Sequence, residues 1–155
     1  MTSPDDDVVA KLLGRKPQGA YRVVVRDKAG VPVVIENSPL MDDGTPMPTT
    51  YWLLTSDIHY RVSQLESDGG VNRAEEEIGL EAIAAAHDAY RQSRDSHIAA
   101  SHLGAKPSGG VGGTRVGVKC LHAHTAWWLA GGDDPVGEWV AKQLGISRPV
   151  NGVLA

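Results

Sequence analysis

Two short runs of β-branched residues lie close together near the start of the chain and constrain its fold most. Residues 20–27 (AYRVVVRD) and 31–36 (VPVVIE) have the composition of strands, because branched side chains pack well on a pleated surface. The segment Lys28-Ala29-Gly30 between them suits a short hairpin loop with glycine in the left-handed conformation. The pair predicts an antiparallel hairpin, and a third strand is expected at residues 49–54.

Helical spacing of apolar residues dominates the rest of the sequence. We therefore predict a single α+β domain, in which a small three-stranded antiparallel sheet packs against several helices. Residues 1–7 are expected to be a disordered N-terminus, residues 8–150 the domain and residues 151–155 a C-terminal tail. Five helical stretches are predicted. The first begins near Val8 and ends at Gly14, and the second runs from Ser56 to Gly69-Gly70. The third begins at an Asn72/Glu75 capping box and reaches about Ser101 with a break at Gly79, the fourth covers most of residues 115–130, and the fifth runs from Asp134-Pro135 to Gly145.

Charge and cysteine content narrow the classes of function. The net charge of -4 argues against a general nucleic-acid-binding protein, which needs an excess of cations. One cysteine, Cys120, excludes an internal disulfide and is typical of a reducing cytoplasm. No apolar run approaches the ~20 residues of a membrane span, and no signal peptide is recognised. We expect a cytoplasmic protein without a membrane span.

The segment from Gly109 to Trp128 (GGVGGTRVGVKCLHAHTAWW) concentrates the residues best suited to chemistry. On a helix, Cys120 and His124 would share a face with His122 opposite, whereas on a strand all three would share one face. Zinc is the cofactor that such ligands suggest, with Cys120, His122 and His124 as the candidate set. Further ligands would have to come from elsewhere, and the candidates are His59, His87, His97, His102, Asp57 and Glu66.

Two other interpretations of Cys120 remain open on the sequence. The cysteine is a nucleophile if Lys119, Arg115 or His124 favours its thiolate. It is a small buried hydrophobic residue if the histidines belong to the core or its rim.

The glycine loop at residues 109–113 precedes a cationic segment and suggests an anion site. Successive N–H groups of Gly110, Gly112 and Gly113 can form a nest for an anion, and Arg115 and Lys119 add positive charge. The loop matches neither common nucleotide-binding glycine motif. The alternative is a flexible connection or a close crossing of two backbones.

A polar stripe on the long predicted helix is a further candidate for one wall of a binding pocket. His87, Tyr90, Arg91 and Arg94 are spaced so that they share one helical face. The Pro-rich segment 44–52 suits a rigid wall beside them. The alternatives are a solvated helix face and a loop that enters an edge strand.

Several segments together resemble the DUF501 family of bacterial proteins, which is common in actinobacteria. They are LLGRKPQG (12–19), GTPMPTTYWLLT (44–55), SQLESDGG (63–70), HDAYRQSRD (87–95) and the stretch 108–137 that contains KCLH. The resemblance covers nearly the whole chain and implies a single domain of unknown biochemical function. It implies that Cys120 and His122 form part of the KCLH motif and that His87, Tyr90 and Arg94 form part of a His-x-x-Tyr helix.

This chain departs from the family pattern at Ser56-Asp57, where many members carry Cys or His followed by Pro. Serine keeps the ability to cap a helix there. Family genes often lie near a gene for a septum-formation initiator, which suggests a connection with cell division.

Two functional hypotheses follow. In the first, one pocket binds a small anionic ligand with the help of a metal. Its catalytic residues are Cys120, His122 and His87. The residues that bind the ligand are Tyr90, Arg94, Arg115, Lys119 and the loop glycines. In the second, the chain is a non-enzymatic interaction protein linked to cell division or envelope assembly, and a protein partner covers an apolar patch. Partial exposure of Cys120 and His122 in a concave site favours the first.

Overall fold

A three-stranded antiparallel sheet follows the first helix, as the sequence predicts. In the computed structural model, which describes residues 4–155, β1 spans Tyr21–Arg26, β2 spans Pro32–Asn37 and β3 spans Tyr51–Leu53. The strand order is β1-β2-β3, so the predicted hairpin joins neighbouring strands. Gly30 has a φ of 85° in the loop, which confirms the left-handed glycine.

Helices make up most of the remaining described chain, and the predicted α+β class is confirmed. The connection between β3 and the second helix is short, whereas a long segment with little regular structure separates the fourth helix from the fifth. The six helices are α1 (Asp6–Leu13), α2 (Asp57–Ser67), α3 (Gly70–Ile78), α4 (Leu80–Asp95), α5 (Leu121–Leu129) and α6 (Pro135–Leu144), and a short 3-10 turn covers Val111–Gly113.

Local capping signals set most helix ends where the sequence predicts them. Gly14 ends α1 in the left-handed conformation, and Gly145 does the same for α6. The Ser56 side chain caps α2 by accepting the N–H of His59 at 3.1 Å. Asp134 caps α6 by accepting the N–H of Val136 at 2.9 Å. These ends depend on residues next to the helix, which is why sequence alone locates them.

Four helix boundaries differ clearly from prediction. Helix α1 already includes Asp6 and Asp7, which the sequence assigned to a disordered N-terminus; residues 1–3 of that segment lie outside the described chain. Helix α3 begins at Gly70, so Asn72 and Glu75 do not form a capping box. The Glu75 carboxylate instead accepts the N–H of Val118 at 3.1 Å, a distant contact that the local pattern could not reveal.

The other two differences concern the ends of the helical stretches on either side of the glycine loop. Helix α4 ends at Asp95 rather than near Ser101. Helix α5 begins only at Leu121, because Gly117 has a φ of 71° and the backbone of Cys120 is extended. Residues 115–120 therefore form neither the predicted helix nor a strand.

The main core joins one face of the sheet to α2, α5 and α6. Val34, Val62, Leu121 and Val140 all lie in it and are fully buried. Burial of Leu121 in this core fixes the first turn of α5 beside α2. The C-terminal tail also packs against the sheet: the N–H of Leu154 donates to the carbonyl of Arg26 at 2.8 Å, on the edge of β1.

Candidate functional site

Glu66, Cys120 and His122 meet where α2 passes the N-terminus of α5. One potential ligand atom of each residue lies within 4.8 Å of the other two, and all three side chains are half-buried. The Nδ1 atom of His122 is 3.2 Å from the Oε1 atom of Glu66. We call these three residues the donor cluster.

The start of α5 explains why Cys120 and His122 come together. Cys120 is the residue before the helix and has extended backbone angles, φ −149° and ψ 158°, so helical spacing does not apply to it. Glu66 reaches the same point from α2, because its Oε2 atom accepts the backbone N–H of Leu121 at 2.7 Å. The carboxylate thus satisfies one of the N–H groups that a helix leaves free at its first turn.

The other side of the His122 ring is held by α2. Its Nε2 atom is 3.0 Å from the Oγ atom of Ser63, and the Ser63 hydroxyl donates to the carbonyl of His59 at 3.1 Å. Because that hydroxyl has only one hydrogen, the network assigns the Nε2 atom of His122 as donor to Ser63. The ring of His59 lies 4.4 Å from that of His122, centre to centre.

The donor cluster alters the acidity of its members. Burial raises the pKa of the Cys120 thiol, but the hydrogen bond with His122 and the N–H of Ala123 lower it more, so the pKa lies below its usual value. Burial lowers the pKa of His122, whereas Cys120 and the charge of Glu66 raise it more, and the net change is upward. Burial, followed by the nearby His122, lowers the pKa of His59. Both net shifts favour the charged form of the group, the thiolate of Cys120 and the imidazolium of His122, relative to the same group in water.

Cys120 and His122 open onto a cleft of about 410 Å³ between β3 and the start of α5. Aromatic and aliphatic side chains form much of its wall, and two cations, Arg15 and Lys119, are exposed beside it. The guanidinium of Arg15 lies 5.2 Å from the centre of the Trp52 ring. The remaining lining residues are Leu13, Thr49, Tyr51, Leu53, Gly112 and Ala123. The end of the predicted 44–52 wall thus borders this cleft.

His124 does not join Cys120, in contrast to the helical pairing considered from the sequence. Its Nδ1 atom lies 2.6 Å from the Oδ2 atom of Asp134, and both side chains are buried. Its Nε2 atom is buried and has no hydrogen-bond partner among the described residues. Since Cys120 precedes the helix, the expected one-turn relation between Cys120 and His124 does not exist.

Three residues of the predicted stripe on α4 are buried and bond to backbone groups, whereas Arg91 is exposed. The Nδ1 atom of His87 accepts the N–H of Val111 at 3.1 Å, so its Nε2 atom donates to the carbonyl of Gly117 at 2.7 Å. The hydroxyl of Tyr90 accepts the N–H of Thr50 at 2.6 Å. His87, Tyr90 and Arg94 do not line the cleft beside Cys120.

Arg94 is the most deeply held of these polar residues. Its Nη1 atom donates to the carbonyls of Pro48 and Gly109, and its Nε atom donates to Asp95 at 2.9 Å. The side chain is 1% exposed. A guanidinium whose N–H donors already bond to backbone carbonyls inside the fold fixes loops rather than holding a ligand.

The glycine loop separates two clefts instead of forming one pocket. Gly112 and Lys119 border the cleft beside Cys120, whereas Gly110 and Arg115 border another of about 370 Å³, beside His87. A side chain at Gly110 would collide with His87, and one at Gly113 would touch Pro48. Four of the predicted ligand-binding residues are thus divided between two clefts, and Tyr90, Arg94 and Gly113 line neither of them.

Arg15 and Ser63 are the residues near Cys120 that sequence reasoning did not select. Arg15 follows the glycine that ends α1, and no motif marked it as a partner of a segment more than a hundred residues later. Ser63 lies one turn before Glu66 on α2, so the helical spacing of the pair was a usable signal. Glu66 itself was among the candidate ligands, without a reason to prefer it to Asp57.

Among residues 4–155, no helix combines the length and the hydrophobicity of a membrane-spanning segment. Comparisons with curated proteins and with solved structures give no match. The family model for a protein of unknown function, DUF501, matches residues 23–142. That range contains most of β1, every element from β2 to α5, most of α6 and all three residues of the donor cluster. The chain therefore belongs to the DUF501 family.

Proposed function

We propose that this protein is a cytoplasmic protein that binds a small anionic ligand in the cleft beside Cys120. The observation that carries the proposal is the pairing of two exposed cations, Arg15 and Lys119, with a cleft whose described lining residues include no carboxylate. The chain as a whole has a net charge of -4. A local excess of positive charge around a concave surface attracts anions despite the acidic total.

The walls of the cleft indicate a ligand with an apolar part. All three residues of β3, Tyr51, Trp52 and Leu53, line the cleft, and Leu13 adds a further aliphatic side chain. A volume of about 410 Å³ is in the range of small-molecule sites. A planar organic acid or phosphate ester fits this combination of an apolar wall and a cationic edge.

Cys120 and His122 supply the reactive groups on the wall of the same cleft. A lowered thiol pKa next to a histidine with a raised pKa is the arrangement that activates a cysteine. Both side chains are half-buried and border a concave surface. This placement supports a binding site over the interpretation that they belong only to the core.

The test is a titration of the chelator-treated protein with phenyl phosphate, benzoate and inorganic phosphate, followed by tryptophan fluorescence and calorimetry. We expect saturable binding that favours the aromatic anions and weakens as salt is added. Lys119→Ala should weaken binding about tenfold, a loss of about 1.4 kcal/mol. Lys106→Ala is the matched control, because Lys106 is exposed and does not line the cleft.

Two results would contradict the proposal. One is the absence of saturable binding by all three anions, which would favour the alternative of a non-enzymatic interaction protein. The other is an equal effect of Lys119→Ala and Lys106→Ala, which would mean that the anions bind through general surface charge.

A further inference from the structure

The donor cluster brings together three groups that all present lone pairs. Glu66 offers a carboxylate oxygen, His122 a ring nitrogen and Cys120 a sulfur, with one such atom of each inside a 4.8 Å limit. The residues come from two elements, α2 and the start of α5. Burial of Leu121 and its bond to Glu66 hold these elements together, so the convergence is built into the fold.

The hydrogen bonds around His122 determine which ring nitrogen faces the cluster. Nε2–H is directed to Ser63, whose own hydroxyl hydrogen is used by the carbonyl of His59. In a neutral ring this leaves the lone pair on Nδ1, which lies 3.2 Å from the Glu66 carboxylate. Two lone pairs that face each other at this distance repel unless a cation, either a proton or a metal, lies between them.

We propose that Glu66, Cys120 and His122 bind a divalent transition metal, for which zinc is the best fit. Zinc takes carboxylate, imidazole and thiolate ligands, and catalytic sites commonly use three protein ligands with one position open. The Ser63 hydroxyl provides the outer hydrogen bond that metal-binding histidines usually make through their second nitrogen. Because Cys120 and His122 border the cleft, the open position is accessible to the ligand.

The separation of the His122 and Glu66 ligand atoms suits this role. Bonds of about 2.0–2.3 Å in a tetrahedral zinc site place the ligand atoms roughly 3.3–3.8 Å apart. The separation of 3.2 Å between Nδ1 of His122 and Oε1 of Glu66 is already close to that range. Glu66 keeps its second oxygen on the N–H of Leu121, so one carboxylate both caps the helix and offers a ligand atom.

The metal site goes beyond the proposed function, because it requires no organic ligand. It is tested with the full chain, stripped with a chelator and titrated with Zn²⁺ by calorimetry and with Co²⁺ by absorption spectroscopy. We expect one metal ion per chain and a thiolate-to-cobalt charge-transfer band. Anion binding is measured in a separate experiment, with chelator present to remove metal. A failure of the metal proposal therefore does not decide the anion-binding proposal, and the reverse also holds.

Matched variants locate the site. Cys120→Ser should abolish the charge-transfer band and weaken Zn²⁺ binding about 100-fold, and Glu66→Gln should weaken it at least about tenfold. Glutamine retains an oxygen for the Leu121 N–H, so the helix cap survives. Glu75→Gln is the control, because Glu75 likewise accepts a backbone N–H, that of Val118, but lies outside the donor cluster.

A second measurement uses the wild-type chain and is independent of how the variants fold. Cys120 is the single cysteine, so alkylation by iodoacetamide reports on this thiol alone. Bound Zn²⁺ should slow alkylation at least about tenfold, and chelator should restore the rate, because coordination removes the free thiolate. The inference is overturned if the folded protein binds no Zn²⁺, if Cys120→Ser binds it as tightly as wild type, or if Glu66→Gln and Glu75→Gln have equal effects.

Discussion

The carboxylate of Glu66 accepts the backbone N–H of Leu121 at 2.7 Å, and this bond joins α2 to the first turn of α5 across 55 residues of sequence. Leu121 is fully buried, so its N–H has little access to water. The same carboxylate borders Cys120 and His122. One residue therefore stabilises the helix junction and shapes the candidate site.

Replacement of Glu66 by alanine should lower the free energy of unfolding by about 1–3 kcal/mol, since a buried helix N–H would lose its partner. Urea denaturation in the presence of chelator measures this effect without any contribution from metal. Glu76→Ala is the control, because Glu76 is an exposed carboxylate on α3, and it should change stability by less than about 0.5 kcal/mol. Equal losses in the two variants would show that the junction does not depend on this bond.

Arg94 should prove structural rather than ligand-binding. Its guanidinium donates to the carbonyls of Pro48 and Gly109 from a buried position. Arg94→Met would leave these acceptors without a partner and should destabilise the protein by about 2–4 kcal/mol. Lysine should not restore the loss, because a single ammonium does not reproduce the planar fork.

Arg91→Met provides the comparison for Arg94, because Arg91 lies on the same helix and is exposed. Its ion pair with Asp88 is on the surface and contributes little. Urea denaturation of both variants should therefore separate them clearly. A tolerated Arg94→Met change combined with loss of anion binding would contradict the structural role.

The sequence predicts interactions between neighbouring residues better than interactions between distant ones. The C-terminal end of α1 and both ends of α6 were predicted because Gly14, Asp134 and Gly145 act on neighbouring residues. The prediction of a capping box at Asn72 and Glu75 was wrong, because the Glu75 carboxylate accepts the N–H of Val118, more than forty residues away. A pattern of nearby residues contains no information about such a partner.

The candidate site shows the same limit. Cys120 and His122 were selected for their chemistry and do lie together, but His124 was paired with Cys120 on the assumption of one continuous helix. The helix instead starts after Cys120, at the point where Glu66 supplies a cap. His87 and Arg94 were assigned to the pocket from a shared helical face, but both side chains are buried. Spacing locates a face, whereas only tertiary packing decides whether the face meets solvent.

Glu36 should make stability depend on pH in the acid range. Its carboxylate accepts Arg22 Nε at 2.8 Å and the hydroxyl of Tyr51 at 2.9 Å. Burial raises the pKa of Glu36, but the hydrogen bonds from Arg22 and Tyr51 lower it more, so the net pKa is below its usual value. A lowered pKa in the folded state means that the ionised carboxylate stabilises the fold above its unfolded-state pKa, and that this contribution is lost as pH falls through the folded-state pKa.

Glu36→Gln measures that contribution. At neutral pH the variant should be less stable than wild type by about 1–2 kcal/mol, and the difference should shrink below about pH 4. Urea denaturation of both proteins across this range provides the comparison. A difference that stays constant from neutral to acid pH would show that the charge of Glu36 does not stabilise the fold.

Gly110 should be required for the space beside His87. Its φ is −102°, which any residue can adopt, but an added Cβ would lie 2.4 Å from the Cβ of His87. Alanine should therefore force apart α4 and the glycine loop and destabilise the protein by about 2–3 kcal/mol. Gly131→Ala is the opposite case, since Gly131 has a φ of 103° and open surroundings, and it should cost about 1 kcal/mol through backbone strain alone. Thermal and urea denaturation of both variants test this order, and an equal or smaller loss in Gly110→Ala would mean that the loop can move away from His87 at little cost.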